Sequence, residues 1–256
     1  MKTISILGSG WLGLPLAKHF IEQGYRVKAS TRSTDRIEAI KESGVQSFVV
    51  DIDQALDADD FFDANILIVN ITSKNIEGFK RFIKAVENSP IDKVIFVSST
   101  SVYKNTNQRV AEDDGAENQQ SPLFQIENLF RDNPYFQTTV IRFAGLFGYG
   151  RHPGRFFAHR PIPQPDAPVN LIHRDDCINI IDRIVEQAKW GEVFNACADT
   201  HPSKREFYSH ARKLMGLSAP AMGDSEQAGF KIIANEKVKQ ALDYTFIHAD
   251  LMAWSD

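Results

Sequence analysis

Two short segments of this 256-residue chain are apolar at every position, and they constrain the fold more than any other feature. They are residues 66–69, with the sequence ILIV, and residues 94–97, with the sequence VIFV. Strands that bury both faces are typical of a parallel sheet covered by helices on each side. Parallel strands also need long crossover connections, which are usually helices. The sequence therefore predicts an α/β fold with a doubly wound parallel sheet.

Segments with helical periodicity separate the predicted strands. In the first of them, Gly13, Leu16, Ala17 and Phe20 repeat at i, i+3, i+4 and i+7, the spacing of one helix face. We predict strands at residues 3–7, 25–30, 47–50, 65–70, 93–98 and 138–142, and helices at 12–23, 34–43, 78–88 and 119–132. Alternation of this kind is typical of right-handed βα units in a Rossmann-type sheet.

The chain changes character after residue 145, where closely spaced prolines exclude a long helix. They are Pro161, Pro163, Pro165 and Pro168. Further helices are predicted at residues 177–188, with Asp176 as the cap, and from a capping box formed by Ser203 and Glu206. Asn235 is predicted to cap a last short helix.

These patterns predict two parts of different function. Residues 1–145 are expected to form a dinucleotide-binding domain that carries the sheet, with strands from later segments able to return to it. Residues 146–256 are expected to form a small substrate-binding lobe.

Composition excludes several classes of protein. Lys and Arg number 29 against 33 Asp and Glu, a net charge of −4, so we expect no nucleic-acid partner. Two cysteines, Cys177 and Cys197, are too few for a disulfide scaffold or a four-thiolate zinc site. The seven histidines show no metal-ligand spacing, so no metal site is expected. Apolar runs are shorter than the ~20 residues of a membrane span, so we expect no membrane partner. Glycines interrupt the apolar N-terminal segment and argue against a signal peptide. We therefore expect a cytoplasmic protein.

A glycine-rich sequence, GSGWLG, lies between the first predicted strand and the first predicted helix. Gly8 allows the tight turn, Gly10 lets the backbone approach a pyrophosphate, and Gly13 allows the helix to pack closely on the strand. Free N–H groups at the helix start then face the phosphate charge. The strand–turn–helix context favours a dinucleotide site over a merely tight turn. The predicted contacts are Gly8, Ser9, Gly10, Trp11, Leu12 and Gly13.

The second predicted strand runs into Thr31, Arg32 and Ser33, which we also predict as cofactor contacts. Proteins that bind NAD(H) usually carry an acidic residue here, about 20 residues past the glycines. An arginine can instead pair with the 2′-phosphate of NADP(H) and stack on the adenine. We therefore predict NADP(H) in preference to NAD(H), with a merely solvated Arg32 as the alternative.

Other strand ends should lie at the same edge of the sheet, because ligands of open α/β folds bind outside the carboxyl ends of the strands. For Asp51, a simple turn residue is the alternative to a cofactor contact. The predicted contacts at these strand ends are Asp51, Ile52, Asn70, Ile71, Thr72 and Ser98.

Four further segments resemble sequences of the extended short-chain dehydrogenase/reductases, the nucleotide-sugar epimerase and dehydratase group. They read VSSTSVY at 97–103, IRFAGLFGYGR at 141–151, VNLIHRDD at 169–176 and GEVFN at 191–195. The resemblance implies a nicotinamide cofactor and a catalytic set, with a hydroxyl residue after the fifth strand and a Tyr-x-x-x-Lys pair on the next helix. That tyrosine would be the general acid/base, with its pKa lowered by the lysine. Ser99 matches the hydroxyl position.

The tyrosine–lysine pair of the family is absent from this sequence. When Glu127 is aligned with the family's helix glutamate, Gln119 and Leu123 stand at the two positions, and no Tyr-x-x-x-Lys occurs elsewhere. The glycine spacing GxGxxG also departs from the GxxGxxG of extended members. The chain therefore resembles the atypical, YeeZ-like members of the superfamily.

Other residues are candidates for the missing chemistry. Tyr103 follows the fifth strand, and His173 lies near two aspartates; packing roles are the alternative for both. Arg142, Arg151 and Arg155 are predicted to bind an acidic or phosphorylated substrate, with a solvated surface as the alternative.

Two functions remain open on these grounds. The first is an epimerase/dehydratase-like or reductase-like enzyme that acts on a sugar nucleotide or similar small polar substrate by nicotinamide hydride transfer. The second is a non-catalytic NADP(H)-binding sensor or assembly protein. The resemblance also implies a possible homodimer, which the apolar faces of residues 79–86 and 123–130 permit.

Overall fold

A computed structural model describes residues 1–56, 58–224 and 229–255, and the chain divides into two compact units. Unit 1 contains Met1–Ser98, Gln119–Ile141 and Ile180–Val193. Unit 2 contains Ser99–Asn118, Arg142–Asn179 and Phe194–Asp256. The units interleave along the chain, whereas the sequence predicted one boundary at residue 145. A separate function for each part stays a prediction.

The strands, in chain order, have the following bounds. They are β1 Thr3–Leu7, β2 Arg26–Thr31, β3 Gln46–Val49, β4 Ile66–Val69, β5 Lys93–Ser99, β6 Arg109–Val110, β7 Gln137–Phe143, β8 Gly145–Phe147, β9 Leu171–His173, β10 Val193–Ala196 and β11 Ile232–Ile233.

The helices have the following bounds, again in chain order. They are α1 Gly13–Glu22, α2 Ile37–Lys41, α3 Asp59–Phe62, α4 Ile76–Glu87, α5 Pro122–Arg131, α6 Arg174–Glu186, α7 Lys204–Leu214 and α8 Glu236–Leu242. Within the described residues, no helix is long and apolar enough to cross a membrane.

Seven strands form a parallel sheet in the order β10-β7-β5-β4-β1-β2-β3, which confirms the predicted doubly wound fold. The direction of winding reverses between β1 and β4, so their carboxyl ends flank the switch point where ligands of such sheets bind. The wholly apolar segment 66–69 is β4, and it is buried throughout.

The core of unit 1 is rich in phenylalanine. Phe96 of β5 stacks on Phe130 of α5, with ring centres 4.9 Å apart. Phe79 and Phe82 of α4 belong to the same cluster. The apolar faces that permitted a dimer are therefore packed in this core, and dimerisation stays a prediction.

Unit 2 has a second, smaller apolar core. Parallel strands β8 and β9 contribute Phe147 and Leu171, and α7 contributes Phe207. The predicted capping box is confirmed, because Ser203 and Glu206 satisfy each other's backbone N–H groups at the start of α7.

Several predicted helix starts need correction. The segment 34–43 is a short 3-10 turn, capped by Ser33, followed by α2. Helix α5 begins at Pro122, so Gln119 lies before it. The prediction that Asp176 caps a helix is wrong, because α6 begins at Arg174 and places Asp176 in its first turn. Asn235 precedes α8, but its amide binds Cys197 and Asp199 instead of capping the helix.

Candidate functional site

The glycine loop joins β1 to α1 with almost no room for side chains. Gly8 has a φ of +100°, and a Cβ there would lie 2.5 Å from the carbonyl oxygen of Asn70. A Cβ on Gly13 would lie 1.9 Å from the carbonyl oxygen of Gly8. Ser30, on β2, holds the loop by accepting the N–H groups of Gly8 at 3.0 Å and Ser9 at 2.9 Å. Only glycine allows the backbone segments to approach this closely.

Gly10 is different, because a Cβ built there meets no atom within 4 Å. The first N–H groups of α1 have no acceptor within the helix and form the positive end of its dipole. Leu12, before α1, supplies no side-chain cap. Ser9 Oγ is buried and has no hydrogen-bond partner among the described residues. Open access, backbone donors and an unsatisfied hydroxyl together fit a dinucleotide diphosphate.

Two arginines follow β2, Arg32 directly after the strand and Arg36 in the 3-10 turn. Arg32 is exposed, and the neighbouring turn is held by the Ser33 N–H, which donates to Thr31 Oγ1 at 3.3 Å. Arg36 Nη2 donates to the carbonyl oxygen of Ser9 at 2.9 Å. Sequence reasoning missed Arg36, because nothing in the sequence indicated that its side chain reaches back to the glycine loop.

Unit 2 contains a cavity of about 480 Å³, a volume typical of small-molecule sites. Three cationic residues line it, and none of the described lining residues carries a carboxylate. Its polar and cationic lining residues are Ser99, Thr100, Ser101, Asn105, Arg151, Gln164, Asn170, Lys204 and Lys231. Its aromatic lining residues are Phe156, Tyr208 and Phe230. A cavity with this charge is suited to an anion.

The glycine loop lies within a segment that a known family shares. A family model described as NAD(P)H-binding matches residues 8–146, which is more than half of the chain. The chain belongs to this NAD(P)H-binding family. This membership confirms the prediction that the chain binds a nicotinamide nucleotide. The glycine loop as the place where it binds stays a prediction.

The relatives agree with that assignment. The chain is 32% identical over 267 residues to Protein YeeZ of Escherichia coli strain K12, covering 98% of this chain and 97% of YeeZ. This match confirms the predicted resemblance to YeeZ-like proteins.

Two solved structures share the fold with this member of the NAD(P)H-binding family. A proposed NAD-dependent epimerase/dehydratase from Methylobacillus flagellatus is 25% identical, with a TM-score of 0.78 and coverage of 97% of this chain and 94% of the other. The UDP-glucuronic acid 4-epimerase of Bacillus cereus, in complex with UDP-glucuronic acid and NAD, is 18% identical. Its TM-score is 0.76, with coverage of 98% and 95%.

The predicted cofactor residues after β3 have local structural contacts. Asp51 Oδ1 accepts the N–H of Asp53 at 3.0 Å, the arrangement of a turn. Ile52 is buried in the phenylalanine-rich core, and its carbonyl oxygen accepts Arg81 Nη2 at 2.9 Å. A cofactor contact at this strand end stays a prediction.

The predicted residues after β4 and β5 differ in accessibility. Asn70 Nδ2 donates to the carbonyl oxygen of Gly8 at 3.3 Å, while Ile71 is half-buried and Thr72 is exposed. Ser98 is buried, and its hydroxyl donates at 2.9 Å to the fully buried carboxylate of Glu127. Glu127 thus positions the end of β5.

Tyr103 lies in a buried polar network of unit 2. Its hydroxyl donates to Asn195 Oδ1 at 2.9 Å and accepts a hydrogen bond from Arg142 Nη1 at 2.5 Å. Burial raises the pKa of Tyr103 to about 12. A hydroxyl that is held so firmly in the neutral form is poorly suited to proton transfer near neutral pH, so the predicted acid/base role is not part of the function proposed below.

The three predicted substrate arginines lie in different surroundings. Arg142 is 1% exposed and pairs with Glu117 at 2.6 Å, which is the geometry of a structural ion pair. Arg151 lines the cavity, whereas Arg155 is exposed and is not among the described lining residues. Of the three predicted arginines, only Arg151 is among the described lining residues of the cavity that contains Ser99. Substrate binding by any of the three stays a prediction.

Two lysines of the cavity were missed in the sequence. Lys231 Nζ donates to the Tyr103 carbonyl oxygen at 2.8 Å and to Asn105 Oδ1 at 3.2 Å. Lys204 Nζ donates to the Pro163 carbonyl oxygen at 3.0 Å. Burial lowers the pKa of both lysines. No sequence motif marks them, because each reaches the cavity from a segment far from Ser99.

His173 is buried at the end of β9 and is not among the described lining residues of the cavity. Its ring centre lies 3.8 Å from that of His248, a residue that sequence reasoning did not select. The acid/base role predicted for His173 therefore has no support from the cavity.

Proposed function

We propose that this protein is an NADP(H)-dependent, epimerase/dehydratase-like enzyme that transfers hydride to or from an anionic substrate of the sugar-nucleotide class. The cavity of unit 2 carries the proposal, since Arg151, Lys204 and Lys231 line it and no described lining residue is acidic. Arginine and lysine bind diphosphates through charge-assisted hydrogen bonds. The complex of the Bacillus cereus epimerase with UDP-glucuronic acid supports this substrate class.

The cofactor preference rests on Arg32. When bound, the nicotinamide supplies or accepts the hydride. Arg36 is engaged with the Ser9 carbonyl oxygen, whereas Arg32 is exposed at the end of β2 and is the residue we assign to the 2′-phosphate.

Replacement of this arginine tests the preference directly. We expect Arg32→Ala to weaken NADPH binding about tenfold or more and to weaken NADH binding much less, because only NADPH loses the charge-assisted pair. Calorimetric titration measures both dissociation constants. Arg26→Ala, at the exposed start of β2, is the matched control. If the unmodified protein binds NADH more tightly than NADPH, the assignment of NADP(H) is wrong.

The proton chemistry is assigned to Lys231 and Ser99. Hydride addition to a carbonyl carbon leaves an oxygen anion that must receive a proton. The lowered pKa of Lys231 makes its ammonium a better proton donor than that of an exposed lysine. Ser99 Oγ accepts the Ser101 N–H at 3.1 Å and keeps its own hydrogen for a substrate oxygen.

Turnover of a substrate panel tests this chemistry. The full-length protein with NADPH is incubated with nucleoside-diphosphate sugars and their keto derivatives. Loss of NADPH absorbance reports reduction, and chromatography of the products reports redox-neutral epimerisation. We expect Lys231→Met to lower turnover about 100-fold and to leave NADPH affinity unchanged. Lys213→Met, on the exposed side of α7, is the control.

A non-catalytic NADP(H)-binding sensor is the second candidate, and one observation favours it. Gln119 and Leu123 replace the family's tyrosine and lysine, and Tyr103 is held in the buried network. A sensor would bind NADPH tightly but convert no member of the panel. It would also show the same panel affinities with and without Lys231→Met, a result that contradicts the enzyme proposal.

A further inference from the structure

Two histidines and one aspartate converge in unit 2, outside the cavity and the glycine loop. His173 ends β9, Asp175 lies in the first turn of α6, and His248 comes from the segment after α8. One ligand atom from each lies within 4.8 Å of the other two. Within residues 1–56, 58–224 and 229–255, no other group of three such side chains meets this distance.

Asp176 brings His248 to this position. Its fully buried carboxylate accepts the Tyr244 hydroxyl at 2.7 Å and the N–H groups of Ile247 at 2.7 Å and His248 at 3.1 Å. One side chain in the first turn of α6 therefore fixes the backbone of Ile247 and His248 and the side chain of Tyr244. His248 is held against His173, although the two are far apart in the sequence.

Packing also fixes which nitrogen of His173 faces the aspartate. A Cβ on Gly148 would lie 2.2 Å from His173 Nε2, so that nitrogen is pressed against the glycine backbone. The other nitrogen, Nδ1, lies 3.4 Å from Asp175 Oδ2 and accepts the backbone N–H of Asp175 at 3.3 Å, a hydrogen bond that a metal ion would replace. His248 Nε2 lies 3.6 Å from the same oxygen. Asp175 Oδ1 accepts the Tyr149 hydroxyl at 2.8 Å, which orients the carboxylate.

Two of the three separations are close to those of a four-coordinate metal site, and the two imidazole nitrogens lie within 4.8 Å of each other. Zinc is bound by imidazole nitrogen and carboxylate oxygen at about 2.0–2.2 Å, so neighbouring ligands of a tetrahedral ion lie about 3.3 Å apart. The observed nitrogen–oxygen distances of 3.4 and 3.6 Å are close to that value. Asp175 and His248 are partly exposed, so an ion has access from solvent.

We propose that His173 Nδ1, Asp175 Oδ2 and His248 Nε2 form a binding site for one divalent transition-metal ion of the zinc type, with the remaining position open to water. Two imidazoles and one carboxylate are a ligand set that zinc accepts. The hydrogen bond from Tyr149 to Asp175 is the outer-shell contact that such sites usually have. The bound ion would tie the segment that carries His248 to β9 and α6.

Metal titration of the tag-free, chelator-treated full-length protein tests the site. We expect one equivalent of Zn²⁺ to bind by calorimetry and to raise Tm, since a ligand that binds only the folded state stabilises it. One equivalent of Co²⁺ should produce the visible absorption of a low-coordinate cobalt site. Binding should weaken in acid, because zinc binds the deprotonated forms of histidine and aspartate.

Conservative variants locate the ion. We expect His248→Gln and Asp175→Asn each to weaken Zn²⁺ binding at least tenfold and to abolish the cobalt spectrum, whereas His159→Gln, at an exposed histidine elsewhere in unit 2, changes neither. Circular dichroism of each metal-free variant confirms that it folds. Absence of stoichiometric Zn²⁺ binding, or binding that both variants retain, would overturn the proposal.

Discussion

Units 1 and 2 build their sites in opposite ways. The glycine loop of unit 1 is one run of six residues, Gly8 to Gly13, in which the N–H groups of Gly8 and Ser9 bind Ser30 and those at the start of α1 follow them. The cavity of unit 2 is lined by side chains from separate segments, among them Ser99, Arg151, Lys204 and Lys231. A backbone site leaves its mark in a contiguous sequence, because only glycine allows the required approach. A side-chain site leaves no such mark.

Because the cavity of unit 2 depends on side-chain contacts, we expect the largest loss of stability when one of those contacts is removed. Replacement of Glu117 by Gln leaves the buried Arg142 charge without its ion-pair partner, and we expect a loss of about 3 kcal/mol in the free energy of unfolding. Urea denaturation followed by circular dichroism measures it. Tyr103, which shares this network, also binds Lys231 through its carbonyl oxygen, so the cavity wall depends on the pair.

An exposed ion pair of unit 2 is the control for this prediction. Arg109 pairs with Glu236 at the surface. We expect Glu236→Gln to lower the free energy of unfolding by less than about 1 kcal/mol. Equal losses in the free energy of unfolding for the two variants would mean that burial does not increase the contribution of the Arg142–Glu117 pair to stability.

A smaller effect on stability is expected in unit 1, where two glycine substitutions should differ in their effects on folding and on NADPH binding. Gly13→Ala places a Cβ 1.9 Å from the Gly8 carbonyl oxygen. We expect this substitution to lower the free energy of unfolding by about 3 kcal/mol at most and to abolish NADPH binding. Gly10→Ala meets no protein atom within 4 Å, so it should leave Tm nearly unchanged. It should still weaken NADPH binding about tenfold, since the added methyl lies where the diphosphate approaches.

Thermal melting and calorimetry separate these two glycines. The interpretation of the loop as a backbone site is wrong if Gly10→Ala binds NADPH as tightly as the unmodified protein, or if it melts as early as Gly13→Ala.

The smallest expected effect is a pH dependence of the cavity. Burial lowers the pKa of Lys231, so its positive charge is present below that pKa and is lost as pH rises through it. Affinity for an anionic ligand such as UDP should therefore fall at a lower pH than the ordinary lysine value of 10.5 implies. Calorimetry at increasing pH measures the fall. Lys231→Arg should shift it to higher pH, since arginine stays charged; an unchanged profile would exclude Lys231 from anion binding.

The predictions that succeeded depended on local patterns. The apolar segment 66–69 is β4 because a strand buried on both faces must be apolar at every position. The GxGxxG turn leads from β1 into α1, and the sequence marks it because its three glycines lie within six residues of the chain. The capping roles predicted for Asp176 and Asn235 failed because both side chains bind distant parts of unit 2, although α8 begins directly after Asn235 as predicted.

The sequence by itself determined the Rossmann-type sheet, the position of the glycine loop between β1 and α1, and the absence of a Tyr-x-x-x-Lys pair. Periodicity and glycine spacing are properties of residues close together in the chain, so they can be recognised in the sequence alone. Tertiary structure alone decided that Lys204 and Lys231 share a cavity, that Tyr103 and Arg142 are buried, and that His248 meets His173. Those contacts join segments far apart in the chain, and only the packing of unit 2 brings them together.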